Sequence, residues 1–182
     1  MTRSTARLSV IIGSIGVLSL LTLAGVGFTQ GHIGDARVQS LTTCGPSQPR
    51  GTVVHVTLSD HGNVMTSGAT IMMVSLFASP SQVPAGDVTF VATNGGALTH
   101  ELLVLPAPRG GAGTRAIDSD GTINESTSLG EASTSCGSGP GAGIAPAMKS
   151  WVTLHLSAGT YELVCNEPWH YANGMFQRFT VQ

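Results

Sequence analysis

Charge is scarce in this chain. Only 10% of its 182 residues are Asp, Glu, Lys or Arg, and the net charge is −2. That excludes the broad basic face that nucleic-acid binding needs, and it leaves no strong field to steer a highly charged partner. Aromatic residues make up 5% and cysteines number three. Hydrophobic runs of membrane-spanning length are also missing, apart from one at the N-terminus. What the chain does have is 24 Gly and 9 Pro, with short β-branched runs between them. This is the composition of an all-β fold with many turns.

The exception at the N-terminus runs from Leu8 to Phe28 without a charge, behind Arg3 and Arg7. It exceeds the core of an ordinary signal peptide and meets the ~20-residue requirement of a membrane-spanning helix. No convincing small-residue cleavage site follows. Residues 1–28 are therefore expected to be a signal or, preferentially, an uncleaved anchor, with the arginines inside and the rest exported. Residues 29–51 have the composition of a flexible tether. Period-two alternation begins at Thr52–Leu58, so residues 52–182 are expected to form the folded domain. Asp60-His61-Gly62-Asn63 is a turn signal, and further strands are expected at about 70–78, 87–93, 99–105, 151–156 and 160–165. Pro80 and Pro84 mark an edge strand. Residues 106–149 are Gly-, Ser- and Thr-rich and almost without apolar periodicity, so they read as a long excursion over the outside, with a short helical turn near Glu125–Glu131. Seven or eight strands suit two face-to-face sheets with Greek-key connections.

The chemistry lies near the C-terminus. The stretch Cys165-Asn166-Glu167-Pro168-Trp169-His170-Tyr171-Ala172-Asn173-Gly174-Met175 joins two strand-like runs and carries a thiol, an imidazole and a thioether. A thioether is a soft, weak ligand, and two His, one Cys and a weak axial Met make a blue-copper electron-transfer site. The second imidazole must come from elsewhere. His100, at the head of the apolar run His100–Leu105, is the candidate. His32, His55, His61 and His155 have no further donors beside them in sequence. Catalytic zinc would leave Met175 without a role, a dinuclear copper centre would need a second Cys in the loop, and a multicopper oxidase would need His-x-His clusters. A cysteine-protease reading has no recognisable oxyanion donors. With Cys165 assigned to the metal, Cys44 and Cys136 remain, either as a disulfide formed outside the cytoplasm or as two free thiols.

Ala158-Gly159-Thr160-Tyr161 followed by Cys-x4-His-x4-Met-Phe resembles the C-terminal end of cupredoxins, in particular the rusticyanin- and sulfocyanin-like ones, and His100-Glu101-Leu102-Leu103-Val104-Leu105 resembles the strand bearing that family's first histidine. The resemblance implies a cupredoxin-like β-sandwich over roughly 52–182 holding one type 1 copper, with His100, Cys165 and His170 as strong ligands and Met175 as the axial one. It implies a one-electron carrier and not an enzyme, working in a respiratory or redox chain outside the cytoplasmic membrane, tethered or periplasmic. The alternative is a copper-delivery or buffering module, for which Met65, Met72, Met73 and Met148 would speak, although Met72 and Met73 read more simply as strand filler. Redox partners, including a membrane respiratory complex, are expected to dock near the edge of His170, on Pro168, Trp169, Tyr171 and Met148. Two departures stand out. Trp169 takes the Gly position of the common Pro-Gly-His pattern, and Glu101 takes the place of an Asn.

Overall fold

The computed structural model describes residues 44–66 and 69–182. Ten strands form two sheets: β1 Thr52–Thr66, β2 Ala69–Ser79, β3 Gln82–Val83, β4 Gly86–Asn94, β5 Leu102–Pro106, β6 Gly130–Thr134, β7 Gly137–Gly143, β8 Lys149–Leu156, β9 Gly159–Val164 and β10 Phe176–Val181. The described residues contain no α-helix, only a 3-10 turn at Tyr171–Asn173. None of their helices is long and apolar enough to cross a membrane. The expected hydrophobic helix at residues 8–28 lies outside the described residues.

One sheet runs β2-β1-β4-β8 and the other β6-β5-β9-β10-β3, and β7 lies between β6 and β8 and joins the two into a barrel-like whole. The core comes from alternation. Val54, Val56 and Leu58 of β1 point inward, while His55 and Thr57 face solvent. From the opposite sheet, Leu102, Val104, Leu163 and Phe179 meet them. The Phe90 and Phe179 rings cross edge to face with centroids 5.1 Å apart, an arrangement worth about 0.5–1.5 kcal/mol beyond buried area.

Three expectations are corrected. Asp60–Asn63 is not a turn. β1 continues to Thr66, and the segment is instead a register break against β2 between Asp60 and Asn63. A turn signal and a bulge use the same residues, because both need an irregular backbone. The 106–149 excursion is not patternless, since it contributes β6 and β7. β7 is Gly-Ser-Gly-Pro-Gly-Ala-Gly, so it has no apolar side chain larger than Ala or Pro with which to signal a strand. The expected helical turn near Glu125–Glu131 is only a single tight turn, closed by the Ser128 amide on the Glu125 carbonyl at 2.7 Å, before β6. The excursion also covers the outer face of the second sheet. There Leu103, Leu105, Ile123, Val164 and Tyr171 form a smaller second core with Phe176 packed against it.

Beneath this cover Glu162 is fully buried. Its Oε2 accepts from Arg115 Nε at 2.5 Å, and its Oε1 accepts from the Gly113 amide at 2.7 Å and from Tyr171 Oη at 3.0 Å. Cys44 and Cys136 are joined as a disulfide, Cα atoms 5.2 Å apart. Residues 44–51 are held on the domain in part by Thr89, whose hydroxyl accepts from the Arg50 amide at 3.1 Å and donates to the Arg50 carbonyl at 2.7 Å.

Candidate metal centre

Topology brings the distant residues together. β5 and β9 are antiparallel with Leu103 opposite Val164, so the entry to β5 and the exit from β9 lie at the same end of the barrel. His100 stands two residues before β5 and Cys165 one residue after β9. His100 does not open a continuous strand as expected. It forms a single bridge with Ile144, donating its amide to the Ile144 carbonyl at 3.3 Å and accepting the Ile144 amide at 2.6 Å. Buried Asn94 secures the same corner: its side-chain amide donates to the carbonyls of Leu98 and Ile144, and its oxygen accepts the Gly96 amide.

The C-terminal connection folds back on itself. The Cys165 amide donates to the Met175 carbonyl, and the Met175 amide donates to the His170 carbonyl, both at 3.1 Å. His170 caps the 3-10 turn and Gly174 ends it at φ 90°, a left-handed conformation that glycine adopts without steric cost. The turn draws His170 and Met175 back over Cys165.

Three donor atoms converge. His170 Nδ1 is 3.2 Å from His100 Nδ1 and 3.2 Å from Cys165 Sγ, and the remaining pair, Cys165 Sγ and His100 Nδ1, is 3.9 Å apart. An ion ~2.0–2.3 Å from each of three donors in a plane would space them by about 3.5–4.0 Å. The triangle therefore fits a metal after a small expansion of its shorter sides. All three residues are buried, and Met175 is fully buried in the main core beside Cys165.

The electrostatics suit a metal. Burial holds His170 down at about 4, with the neighbouring His100 adding to the effect and Asp60 opposing it. Burial likewise lowers His100, against the pull of Asp60. Both rings are thus neutral at pH 7, as a ligand must be. Burial pushes the Cys165 thiol up to about 12, despite the Glu101 and Glu167 amides near its sulfur. The Glu101 amide lies 3.4 Å from Sγ. A buried thiol of this kind gives up its proton only when a cation replaces it, and metal coordination does so outright.

Two neighbours, Asp60 and Asn166, were not singled out from sequence as parts of the site, whereas Glu101 was. Asp60 Oδ2 lies 3.4 Å from His100 Nε2, yet the alignment falls short of a hydrogen bond, and this nitrogen is the one orphaned buried side-chain polar atom among the described residues. Burial raises Asp60, but the Leu98 and Ala97 amides and His100 outweigh it and hold the carboxyl below its ordinary value. Asn166 exchanges hydrogen bonds with the Ile123 backbone at 2.7 and 3.1 Å, tying the excursion to the Cys165 loop. Glu101 is raised to about 7 by burial and by Glu167, Glu131 and Glu125, with the Asn166 amide pulling the other way. These four carboxyls line a cavity of about 720 Å³ beside the centre.

The expected docking residues divide. Pro168 is exposed and Trp169 is 51% exposed, whereas Tyr171 is 2% exposed and cannot belong to a surface patch. Its ring packs on Phe176, centroids 5.1 Å apart, and its hydroxyl is engaged by Glu162. Met148 is partly buried against the core. Trp169 adopts φ 69°, the left-handed conformation that explains why a glycine suits this position. Its indole sits on Gly121, where an added Cβ would come within 2.7 Å of the ring.

No protein-family profile and no curated protein matches this chain. Solved structures do. Reduced auracyanin from Roseiflexus castenholzii matches at 16% identity and a TM-score of 0.47, over 74% of this chain and 99% of that one. Auracyanin A, a blue copper protein from Chloroflexus aurantiacus, matches at 17% and 0.43, over 71% and 99%. Rusticyanin from Thiobacillus ferrooxidans matches at 22% and 0.38, over 80% and 91%. At such low identity the case for a metal rests on this chain's own donors: two neutral imidazoles and a thiol, buried and converging on one point.

Proposed function

We propose that this chain is a type 1 copper protein that carries one electron at a time and has no catalytic activity of its own. The observation that carries the reading is the buried triangle of His100 Nδ1, His170 Nδ1 and Cys165 Sγ. Two imidazoles and a thiolate suit copper, and a weak thioether beside them distinguishes blue-copper centres from zinc. Met175 is the proposed axial ligand. When bound, copper supplies a one-electron couple between Cu(II) and Cu(I).

The chain does the rest. The Ile144 bridge and Asn94 hold His100, and the 3-10 turn holds His170, so the donors keep their places whatever the charge at the centre. The three donors are buried, and with Met175 beside them the set has no open position of the kind a catalytic metal keeps for substrate. The Glu101 amide directed at Cys165 Sγ and the apolar core around that sulfur are the features that tune such a potential. Only the edge of His170, 4% exposed, approaches the surface, flanked by Pro168 and Trp169. This is where a redox partner would dock. The disulfide favours an oxidising compartment, in keeping with export and with a place in a respiratory chain at the outer face of a membrane.

The test is direct. The purified domain is mixed with Cu(II), and its visible and paramagnetic-resonance spectra are recorded. An intense blue or green colour from thiolate-to-copper charge transfer, bleached by ascorbate, is expected, and Cys165→Ser abolishes it. A Cys165→Ser variant that stays blue refutes the site. Tight, colourless Cu(I) binding with no stable Cu(II) form would instead make the chain a delivery or buffering module.

A further inference from the structure

His100 directs Nδ1 at Cys165 and His170, and this fixes what its other nitrogen must do. A ring that binds metal through Nδ1 carries its proton on Nε2. That nitrogen is fully buried and has no hydrogen-bond partner. An N–H left so costs roughly 1–3 kcal/mol. Asp60 Oδ2, at 3.4 Å, is poised to accept it, on a side chain only 5% exposed.

Three separate features of the chain seat that carboxylate. β1 pairs regularly as far as Asp60, opposite Val74, and its register breaks immediately after, so the residue sits at the edge of a bulge. The Ala97 amide donates to Oδ2 at 2.6 Å and the Leu98 amide at 3.2 Å. Gly96 leaves the room, because a Cβ there would lie 1.9 Å from Oδ2. A bulge, a glycine and two amides thus hold one carboxylate behind one metal-facing imidazole. Carboxylate–histidine–metal alignments of this kind orient the ring and raise its basicity.

We propose that Asp60 is a positioning residue of the metal centre. Its carboxylate fixes His100 as the Nε2–H tautomer, aims Nδ1 at the ion and adds a buried negative charge that favours the more highly charged oxidation state. The proposal rests on the copper reading, but its test separates the two. Asp60→Asn keeps the size and an acceptor for the Ala97 and Leu98 amides and removes the charge. Affinity for Cu(II) is expected to fall about 10–100-fold, with a smaller loss for Cu(I), so the reduction potential rises. A tenfold preferential loss is ~59 mV for a one-electron couple. A potential that does not move, whether or not both affinities drop together, overturns the proposal.

A second measurement needs no variant. Nitrogen-15 NMR of the wild-type domain, metal-free and Cu(I)-loaded, should show His100 protonated at Nε2 with a slowly exchanging proton. An unprotonated Nε2, or a proton exchanging at the rate of a solvent-exposed imidazole, overturns it. The metal-free spectrum stands whether or not the chain takes up copper. A wild-type domain that binds none sinks the electron-carrier reading and the metal-directed role with it, while the metal-free spectrum still decides whether Asp60 fixes the His100 tautomer.

Discussion

Replacing Arg115 by Met should cost this domain more stability than its place in an irregular segment suggests. Glu162 has no exposure and Arg115 only 14%, so neither charge is bathed in solvent. The Glu162 carboxylate takes three donors, from Arg115, Gly113 and Tyr171. Methionine retains most of the apolar stem but removes the one cation within ion-pair distance of Glu162 among the described residues, leaving a buried carboxylate with two neutral donors. Removing one partner of a buried pair typically costs about 3–5 kcal/mol, because the stranded charge keeps its desolvation penalty. For a domain of this size that is a fall of roughly 10–20 °C in Tm. Arg115 Nη2 also donates to the Pro106 carbonyl, a second bond that methionine cannot make, so the value belongs at the upper end. The assay is thermal and urea unfolding of the metal-free domain, with Glu162→Gln and the double variant completing a cycle. The double variant should lose less than Arg115→Met alone. A loss under about 1 kcal/mol for Arg115→Met, or strict additivity in the cycle, would show that water replaces the guanidinium and that the network is not a buried ion pair.

The other predictions concern the disulfide and pH. Cys44→Ser with Cys136→Ser opens a link across 92 positions of sequence. Chain-entropy arithmetic then gives a loss of about 4–5 kcal/mol, read as a lower urea midpoint that reductant reproduces in the wild type and leaves unmoved in the variant. In the metal-free domain two groups oppose each other. Glu101 is raised to about 7, so its protonated form supports the fold fully below its unfolded value near 4.5, and that support is lost as pH rises through 7. His170 is lowered to about 4, so its neutral form supports the fold above its unfolded value near 6.5, and that support is lost as pH falls through 4. Each amounts to about 3 kcal/mol. Glu101→Gln removes the first and leaves the second, so the variant should be the more stable at pH 8 and should lose stability more steeply between pH 7 and 4. Parallel pH profiles for variant and wild type would contradict this.

Spacing alone made much of the centre legible. A Cys, a His and a Met on one connection between two strands define a point in space, because both strand ends are fixed by the sheet. His100 could be named because an apolar run followed it, although the sequence could not say that it would sit on an isolated bridge to Ile144. Asp60 could not be found this way. Asp-His-Gly-Asn reads as a turn, and only the β4–β5 connection, folding over it, turns a surface acid into a partner for His100. Glu162 was hidden for a similar reason: alternation along β9 puts it on an outer face, and nothing in the Gly- and Ser-rich excursion announces that this face is covered. Trp169 shows the opposite limit. Its departure from glycine was visible in sequence, but the cost at φ 69° and the seat on Gly121 appear only in three dimensions.

β7 closes one side of the barrel, and on the other a single side chain works where a strand is missing. The Gln177 Oε1 accepts the Ala78 amide at 2.7 Å, and its Nε2 donates to the Ala78 carbonyl at 3.4 Å, copying the paired bonds a neighbouring strand would make. An incoming polypeptide seeking to pair with β2 at Ala78 must first displace that amide. Open strand edges are where chains stick to one another, and at Ala78 that edge is capped by one glutamine.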